Sequence, residues 1–348
     1  MRFRAAVLRK FGSLSVEEIE MRSLGTGQVL VEMTMSGVCR SQLMEVRGLR
    51  GKDRWIPHLL GHEGIGIVRE IGPGVKRFQA GDEVVLTWIK GEGLNAEPII
   101  FDSELGQINA GPVTTLSEFT VVSENRLFEK PALLGDLESV LLGCALPTGA
   151  GMAIKGVSEV ANPSVVVLGL GGVGMAALLT LRALGVDTVI AADSSAMKTK
   201  WAREQGVELT VAGSIDEIRS FVADSFPDGV DLVLESAGLA STIEGAFSML
   251  SPAGQLIFAS HPPTGDQISL DPHALIQGRR IRGTWGGDFN PHLDSKTLVQ
   301  LFMNSDVKLK SMASAPRPLE EVNVLLDLLE DGLSMRPMIS MNLSSDGR

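Results

Sequence analysis

Two cysteines and one histidine are the residues of this chain best suited to hold a transition metal. Cys39 lies in GVCRSQ and Cys144 in LLGCALPTG, and the 348 residues contain no other cysteine. His62 and Glu63 lie between two glycines in GHEG (61–64), at the start of a predicted strand. Thiolate sulfur and imidazole nitrogen are good zinc ligands, and a catalytic zinc needs three protein ligands and one open position. Taken singly, each residue could instead be core packing, because cysteine behaves as a small hydrophobic residue.

A second candidate site is a glycine-rich turn between a predicted strand and a predicted helix. Its residues are Gly169, Gly171, Gly172, Val173 and Gly174. This GxGxxG spacing allows a tight turn, close approach of a pyrophosphate to the backbone, and close packing of the helix. Asp193 ends the next predicted strand, where a carboxylate can accept both hydroxyls of a ribose. The pattern predicts dinucleotide binding, and the alternative is a glycine-rich turn in a nucleotide-free α/β protein.

The elements that position these residues change in character at about residue 145. Before it, β-rich runs separated by glycine turns indicate a compact, barrel-like β domain; they lie at 28–38, 64–75 and 82–89. After it, buried strands alternate with helices, which is typical of a doubly wound α/β domain. The predicted strands are 164–170, 188–193, 230–238 and 254–260, and the predicted helices are 174–185, 197–206 and 242–250. From about residue 286, a predicted helix at 320–332 indicates a return to the first domain.

Composition narrows the function classes. The formal net charge of −11 opposes binding to nucleic acids or anionic membranes, and no apolar run reaches the length of a membrane span. Two cysteines cannot form a disulfide framework, so we expect a reducing, cytoplasmic environment. The chain has no tyrosine, which excludes a tyrosine general acid. The net charge says nothing specific about small-molecule substrates.

Six stretches together carry a family resemblance. They are GVCRS (37–41), GHEGIGIVREIGPGV (61–75), GDEVV (81–85), LSEFTVV (116–122), LLGCALPTGAG (141–151) and VVVLGLGGVG (165–174). With them the chain resembles, over nearly its whole length, the zinc-dependent alcohol dehydrogenases of the medium-chain dehydrogenase/reductase family. The resemblance implies an α/β protein with a GroES-like β-rich catalytic domain (1–147 and 286–348) and a doubly wound Rossmann domain (148–285). It also implies hydride transfer between NAD(H) and an alcohol, aldehyde or ketone, in a homodimer or a tetramer.

The resemblance assigns a role to each residue around the metal. Cys39, His62 and Cys144 would hold one catalytic zinc, with Glu63 beneath it. Ser41 would receive the proton of the alcohol.

The resemblance also assigns the cofactor contacts. Arg40 and Arg336 would contact the pyrophosphate, and Thr148 would lie near the nicotinamide. Lys198 would assist Asp193 at the adenosine ribose.

Three departures distinguish this chain from many members of the family. The segment 88–115 contains none of the four cysteines that bind a structural zinc, so we expect one zinc per chain. Gln42 replaces a carboxylate that orients the histidine ligand, and its amide oxygen could do so less basically. Met44 replaces a histidine that completes the proton relay, which leaves ordered water or His58 as the exit route.

The substrate is the least determined feature. Trp88 and Trp285 are candidate pocket aromatics, although either could be ordinary packing. The basic stretch VRGLRGKDR (46–54), with Arg47 and Arg50, is either a solvated loop or a cationic rim for a carbonyl compound bearing a phosphate, phosphonate or carboxylate. A polyol or sugar-alcohol dehydrogenase and a non-catalytic dinucleotide-binding protein are the alternative functions.

Overall fold

The computed structural model describes residues 1–260 and 262–343. Its chain divides into two compact units. The first contains Met1–Cys144, Asn290–Val299 and the described residues from Ala313 onward. The second contains the described residues of Ala145–Phe289 together with Gln300–Met312. The sequence placed the boundaries at 147 and 286, whereas the units divide at Cys144 and Phe289.

The strands and helices are numbered in chain order. The strands are β1 (Arg2–Lys10), β2 (Ser13–Glu20), β3 (Gln28–Gly37), β4 (His58–Leu59), β5 (Glu63–Ile71), β6 (Glu83–Thr87), β7 (Ile100–Ser103), β8 (Gly106–Asn109), β9 (Phe119–Ser123), β10 (Leu127–Glu129), β11 (Val165–Leu168), β12 (Val189–Asp193), β13 (Leu209–Ala212), β14 (Val230–Glu235), β15 (Leu250–Phe258), β16 (Arg280–Gly283) and β17 (Met338–Ser340). The helices are α1 (Arg40–Val46), α2 (Asp136–Leu141), α3 (Ala145–Val157), α4 (Gly172–Ala183), α5 (Ala196–Glu204), α6 (Ile215–Ser225), α7 (Ala240–Ser248), α8 (Pro272–Ile276), α9 (Pro291–Met303) and α10 (Val322–Glu330). Among the described residues, no helix is long and apolar enough to cross a membrane.

The first unit is built from a small barrel and a second sheet. Strands β1, β2, β7, β8 and β4 close the barrel, and the sheet has the order β10-β6-β5-β3-β17 with β9 also paired to β3. Alternating apolar side chains of β1, such as Phe3, Ala5 and Val7, point into the barrel core with Phe101 and Ile108. The predicted β-rich first domain is therefore confirmed.

The segment that lacks structural-zinc cysteines contributes the β7–β8 hairpin, which the sequence did not predict. Hydrogen bonds from side chains to the backbone fix the loop before it. Glu124 accepts from the Leu94 N–H at 2.7 Å, and Ser123 Oγ accepts from the Ala96 N–H at 2.6 Å. Gln28 Nε2 donates to the Glu97 carbonyl at 2.8 Å. These contacts give the loop a defined path without a metal.

The second unit contains a parallel sheet of order β13-β12-β11-β14-β15-β16. The side chains of Val165, Val166 and Val167 in β11 are fully buried, as expected for a central strand covered on both faces. The strand order reverses at β11, because β12 lies on one side of it and β14 on the other. Ligands of such sheets bind at the carboxyl ends of the strands near this reversal. The predicted doubly wound fold is confirmed.

Candidate metal centre and cofactor site

Three separate parts of the first unit bring the predicted metal ligands together. Cys39 caps α1 directly after β3, His62 lies between β4 and β5, and Cys144 follows the turn after α2. Their ligand atoms all lie within 4.8 Å of one another. His62 Nε2 lies 3.1 Å from Cys144 Sγ. One ion could therefore contact all three side chains.

The donor set and its spacing fit zinc. In a tetrahedral site with bonds of about 2.0–2.3 Å, neighbouring donor atoms lie roughly 3.3–3.8 Å apart. The observed spacing of up to 4.8 Å reaches this range with small side-chain movements. Two sulfurs and one imidazole nitrogen also leave one tetrahedral position for a substrate.

Glycines next to the ligands make room for Glu63. A Cβ atom at Gly37 would lie 2.2 Å from Glu63 Oε1, and one at Gly143 would lie 2.7 Å from Glu63 Cβ. Gly61, directly before His62, has φ +97°, and its Cβ would lie 2.4 Å from Thr115 Oγ1. The glycines beside the ligands are therefore required by close packing beneath the metal centre.

Glu63 forms a buried ion pair with Arg336. Glu63 is 0 % exposed and Arg336 is 2 % exposed, and Arg336 Nε lies 3.2 Å from Glu63 Oε1. Burial alone would lower the pKa of Arg336, but Glu63 and the two cysteine sulfurs raise it above its ordinary value. The sequence assigned Arg336 to a cofactor pyrophosphate, whereas the structure buries its guanidinium against Glu63.

The pKa values of the two cysteine thiols are shifted in opposite directions. The pKa of Cys39 lies well below its usual value, because Cys144 donates a hydrogen bond to it and the charges of Arg336 and His62 outweigh the opposing effect of burial. The same hydrogen bond and burial raise the pKa of Cys144 well above its usual value. Zinc binding displaces any thiol proton, because the thiolate is the ligand form.

Gln42 and Ser41 contact the opposite nitrogen of His62. Gln42 Oε1 accepts the Cys39 N–H at 2.9 Å, and Gln42 Nε2 lies 2.5 Å from His62 Nδ1. Ser41 Oγ lies 3.5 Å from the same Nδ1 and 3.2 Å from Gln42 Nε2. A metal at Nε2 would leave a proton on Nδ1; the Gln42 amide nitrogen that faces it cannot accept this proton in a hydrogen bond, whereas Ser41 Oγ can.

The remaining predicted residues of the first unit fall in different surroundings. The Trp88 ring lies edge-on to His62, with centroids 6.4 Å apart, so it lies next to the metal centre.

Arg47 instead contacts α10, where it pairs with Asp327 at 2.6 Å and Glu330 at 2.7 Å. Arg50 pairs with Glu45 and lines a cavity that also includes His62. The structure thus separates the two arginines that the sequence grouped together. Arg40 is exposed at the start of α1.

The glycine-rich turn of the second unit has the predicted geometry. Gly169 has φ +87°, and a Cβ at Gly174 would lie 1.8 Å from the Gly169 carbonyl oxygen. A Cβ at Gly171, which caps α4, would meet no atom within 4 Å. Gly169 and Gly174 are thus fixed by conformation and packing, and the open face of Gly171 fits approach of a pyrophosphate. Gly172 and Val173 begin α4, whose N-terminus favours an anion.

Asp193 ends β12 beside this turn. Its Oδ2 accepts from the Leu170 N–H at 2.7 Å, and its Oδ1 accepts from the Ser195 N–H at 2.9 Å. Lys198 Nζ lies 3.7 Å from Oδ2. Each carboxylate oxygen has a further lone pair, so the arrangement still fits ribose hydroxyls.

Two further residues of the second unit were predicted from the sequence to lie at the site: Thr148 near the nicotinamide and Trp285 in the substrate pocket. Thr148 is buried in α3, and Trp285 is 78 % exposed.

Sequence reasoning missed Glu235, which organises the same edge of the sheet. Its Oε1 accepts from the Ala237 and Gly238 N–H groups, both at 2.9 Å, and from Thr242 Oγ1 at 2.8 Å. Its burial raises the pKa of its carboxyl group. The next residue, Ser236, donates to the Gly169 carbonyl at 2.8 Å and so links this turn to the glycine-rich turn. The available signal was an acidic residue ending the apolar strand VDLVLE.

Comparison with known families agrees with this geometry. The sequence model of the alcohol dehydrogenase GroES-like domain matches residues 25–132, and that of the zinc-binding dehydrogenase domain matches residues 172–304. The chain belongs to the zinc-dependent alcohol dehydrogenases. The predicted family, of the medium-chain dehydrogenase/reductase type, is thus confirmed, as is its pairing of zinc with NAD(H).

Full-length relatives of this alcohol dehydrogenase include S-(hydroxymethyl)glutathione dehydrogenase of Synechocystis sp., which is 28 % identical and is aligned over 97 % of this chain and 100 % of the relative. The class-3 alcohol dehydrogenase of Cereibacter sphaeroides is 26 % identical with the same coverage. Among solved structures, the alcohol dehydrogenase zinc-binding domain protein of Burkholderia ambifaria has a TM-score of 0.89 at 25 % identity, covering 99 % of this chain and 100 % of that one. Benzyl alcohol dehydrogenase of Acinetobacter calcoaceticus has a TM-score of 0.86 at 22 % identity, covering 98 % and 99 %.

Proposed function

We propose that this protein is a zinc-dependent oxidoreductase that interconverts an alcohol and its aldehyde or ketone with NAD(H). The observation that carries the proposal is the convergence of Cys39, His62 and Cys144 within 4.8 Å, in a chain that also has a complete glycine-rich turn. In this proposal the first unit supplies the catalytic residues and the second binds the dinucleotide.

Each side chain has a distinct part in the proposed reaction. Cys39, His62 and Cys144 would hold a zinc ion that would supply Lewis acidity at the substrate oxygen, and NAD⁺ would supply the hydride acceptor. Ser41 takes the hydroxyl proton of the alcohol. Gln42 fixes the orientation of the His62 ring, and the Glu63–Arg336 pair offsets charge beneath the sulfurs.

Asp193 supports a preference for NAD(H) over NADP(H). Its carboxylate would repel a 2′-phosphate, and Lys198 lies close enough to be partly neutralised by that carboxylate. Arg40 and Thr148 remain proposed cofactor contacts, whereas Arg336, buried against Glu63, is proposed to act at the metal centre instead of at the pyrophosphate.

Assembly and location complete the proposal. We propose a homodimer that uses the sheet edge at β16, since Ile276 and Trp285 near this edge are 82 % and 78 % exposed. A reducing cytoplasm suits a protein whose zinc ligands include two free thiols.

The experiment combines metal analysis with activity. The purified protein should contain one zinc per chain, reduce NAD⁺ with a panel of alcohols, and lose both zinc and activity on chelation. His62→Ala should lose the zinc, whereas the control His273→Ala, at an exposed histidine, should keep it. A folded protein that binds NAD(H) but no zinc would instead be a non-catalytic dinucleotide-binding protein. Two tightly bound zinc ions per chain would also contradict the proposal.

A further inference from the structure

A cavity of about 810 Å³ lies within the first unit and includes part of the metal centre in its wall. Gln42 and His62 line it, and so does every residue from Arg50 to Trp55. Residues on either side of the β7–β8 hairpin, including Ile100 and Asn109, also line it. This volume is typical of a small-molecule site. Because His62 and residues 50–54, here called the basic loop, line the same cavity, one bound molecule can contact both.

The cavity is apolar over much of its wall. Phe11, Trp55 and Ile100 line it and are 45 %, 57 % and 38 % exposed. Large apolar side chains exposed in a concave surface favour an apolar ligand, because binding removes them from water. An alkyl or aryl chain fits this part of the wall.

The charged groups of the wall leave two cations uncommitted. Arg50 is paired with Glu45, and His58 Nε2 lies 2.8 Å from Asp53 Oδ2. No carboxylate of the described residues lies within ion-pair distance of Lys52 or Arg54, and the further acidic residue of the wall is Glu97. With the histidines neutral, the three cations and three carboxylates of the wall cancel in net charge, so its basic character is local to Lys52 and Arg54.

The basic loop is held in place by the hairpin that replaces the structural-zinc segment. Asn109 Nδ2 donates to the Trp55 carbonyl at 2.7 Å, and the Asn109 N–H donates to the Pro57 carbonyl at 2.9 Å. The Arg54 guanidinium lies 4.8 Å from the centroid of the Trp55 ring. The cations are therefore presented on a fixed loop, which lowers the entropic cost of binding an anion.

We propose that this cavity binds the tail of the substrate, an apolar chain that ends in a carboxylate or similar anion recognised by Lys52 and Arg54. The alcohol or carbonyl end lies toward His62. This inference rests on the proposed function and adds its substrate class. The proposed anion site is formed by Lys52 and Arg54, and not by Arg47 and Arg50, which the sequence analysis had named.

The test compares ω-hydroxycarboxylates of increasing chain length with the matching ω-hydroxyamides, which have the same shape but no charge. For at least one length, kcat/KM should be about tenfold higher for the carboxylate, and added salt should reduce this ratio. The double variant Lys52→Gln, Arg54→Gln should abolish the preference through KM, while Lys52→Arg, Arg54→Lys should retain it. The control Lys76→Gln removes an exposed charge outside the cavity and should leave the ratio unchanged.

Failure of this inference differs from failure of the proposed function. Equal kcat/KM for acid and amide at every length, in an enzyme that oxidises both, would overturn the anion site and leave the dehydrogenase intact. If the zinc-loaded protein oxidises no alcohol, binding of hexanoate followed by ligand-observed NMR still decides the inference. Binding that the double glutamine variant loses supports the site, and binding equal in both proteins, or absent from both, overturns it.

Discussion

Arg336 Nε lies 3.2 Å from Glu63 Oε1, beneath the sulfurs of Cys39 and Cys144. Both side chains of the pair are almost completely removed from solvent. A buried charge is tolerated only when it is paired, and removal of one partner leaves the other uncompensated. Arg336 therefore balances the charge of Glu63 and helps to lower the pKa of Cys39.

Replacing Arg336 with methionine should destabilise the metal-free protein by about 3–5 kcal/mol, because the buried Glu63 would be left without its cation. Added zinc should recover part of this loss, since the ion brings positive charge to the same place. Urea unfolding with and without zinc measures both effects.

The matched control is Arg317→Met, which removes an exposed arginine paired with Glu321. It should cost less than about 1 kcal/mol, as expected for a surface ion pair. Equal losses in the two variants, or a loss at Arg336 that zinc does not reduce, would show that the buried pair does not act through charge.

Cofactor choice is expected to depend on the charge of Asp193. Replacement by glycine should narrow the kcat/KM advantage of NAD⁺ over NADP⁺, because the group that repels a 2′-phosphate is gone. The same change removes the acceptor for the Leu170 and Ser195 N–H groups, so it should also cost about 1–3 kcal/mol of stability.

Asp193→Asn separates the two effects, since asparagine keeps one acceptor oxygen but loses the charge. Steady-state kinetics with both cofactors and thermal unfolding of both variants make the comparison. Equal use of NAD⁺ and NADP⁺ by the unmodified protein would show that this strand end does not select the cofactor.

The two units and the metal ligands could be predicted because their signals are local. The β-rich runs before residue 145, the alternation of strands and helices after it, and the GxGxxG turn each lie within a short window of sequence. The three metal ligands were found by residue type and family motif, and the nearby Gly37 and Gly143 are explained by the packing of Glu63.

Other features depend on contacts between distant residues. Arg47 and Arg50 look equivalent in VRGLRGKDR, but Arg47 pairs with Asp327 and Glu330 of α10, about 280 positions later. The burial of Arg336 against Glu63 also depends on residues that are distant in sequence. The same is true of the contacts by which the β7–β8 hairpin closes the barrel. Such contacts are set by the assembled fold, and no local pattern encodes them.

The pH dependence of protein stability should depend in part on Glu124, which secures the loop before the β7–β8 hairpin. Its carboxylate accepts from the N–H groups of Lys76, Arg77 and Leu94. Burial opposes ionisation, but these hydrogen bonds hold the pKa of Glu124 below its usual 4.5. A carboxyl whose pKa is lower in the folded state stabilises the fold above its unfolded pKa, and the contribution disappears as pH falls through the folded-state pKa.

Glu124→Gln should therefore lower stability by about 2–3 kcal/mol at neutral pH and by progressively less as the solution is acidified. Thermal unfolding of the variant and wild type across an acidic pH series measures the gap. The exposed Glu104→Gln should show almost no gap at any pH. A gap for Glu124→Gln that stays constant through the acidic range would mean that the carboxylate charge is not what secures the loop.

Release of the alcohol proton should depend on Ser41, because neither Met44 nor His58 is suited to carry that proton further. Met44 has no proton to exchange. Both ring nitrogens of His58 are already occupied, since Nδ1 lies 2.8 Å from the Leu59 carbonyl oxygen and Nε2 lies 2.8 Å from Asp53. A proton accepted by Ser41 must then leave by a route that uses neither side chain, such as ordered water.

Ser41→Ala should lower alcohol oxidation by about 10²–10⁴-fold while zinc content and NADH binding are kept, because it removes the first proton acceptor. Ser41→Thr keeps a hydroxyl and should restore much of the rate, and Met44→His should help modestly, chiefly at pH values where its imidazole is neutral. His58→Gln should change the rate little. The measurements are pH–rate profiles, with zinc analysis of every variant. Near-normal turnover by zinc-replete Ser41→Ala, or a severe loss in His58→Gln, would assign the proton to a route that does not begin at Ser41.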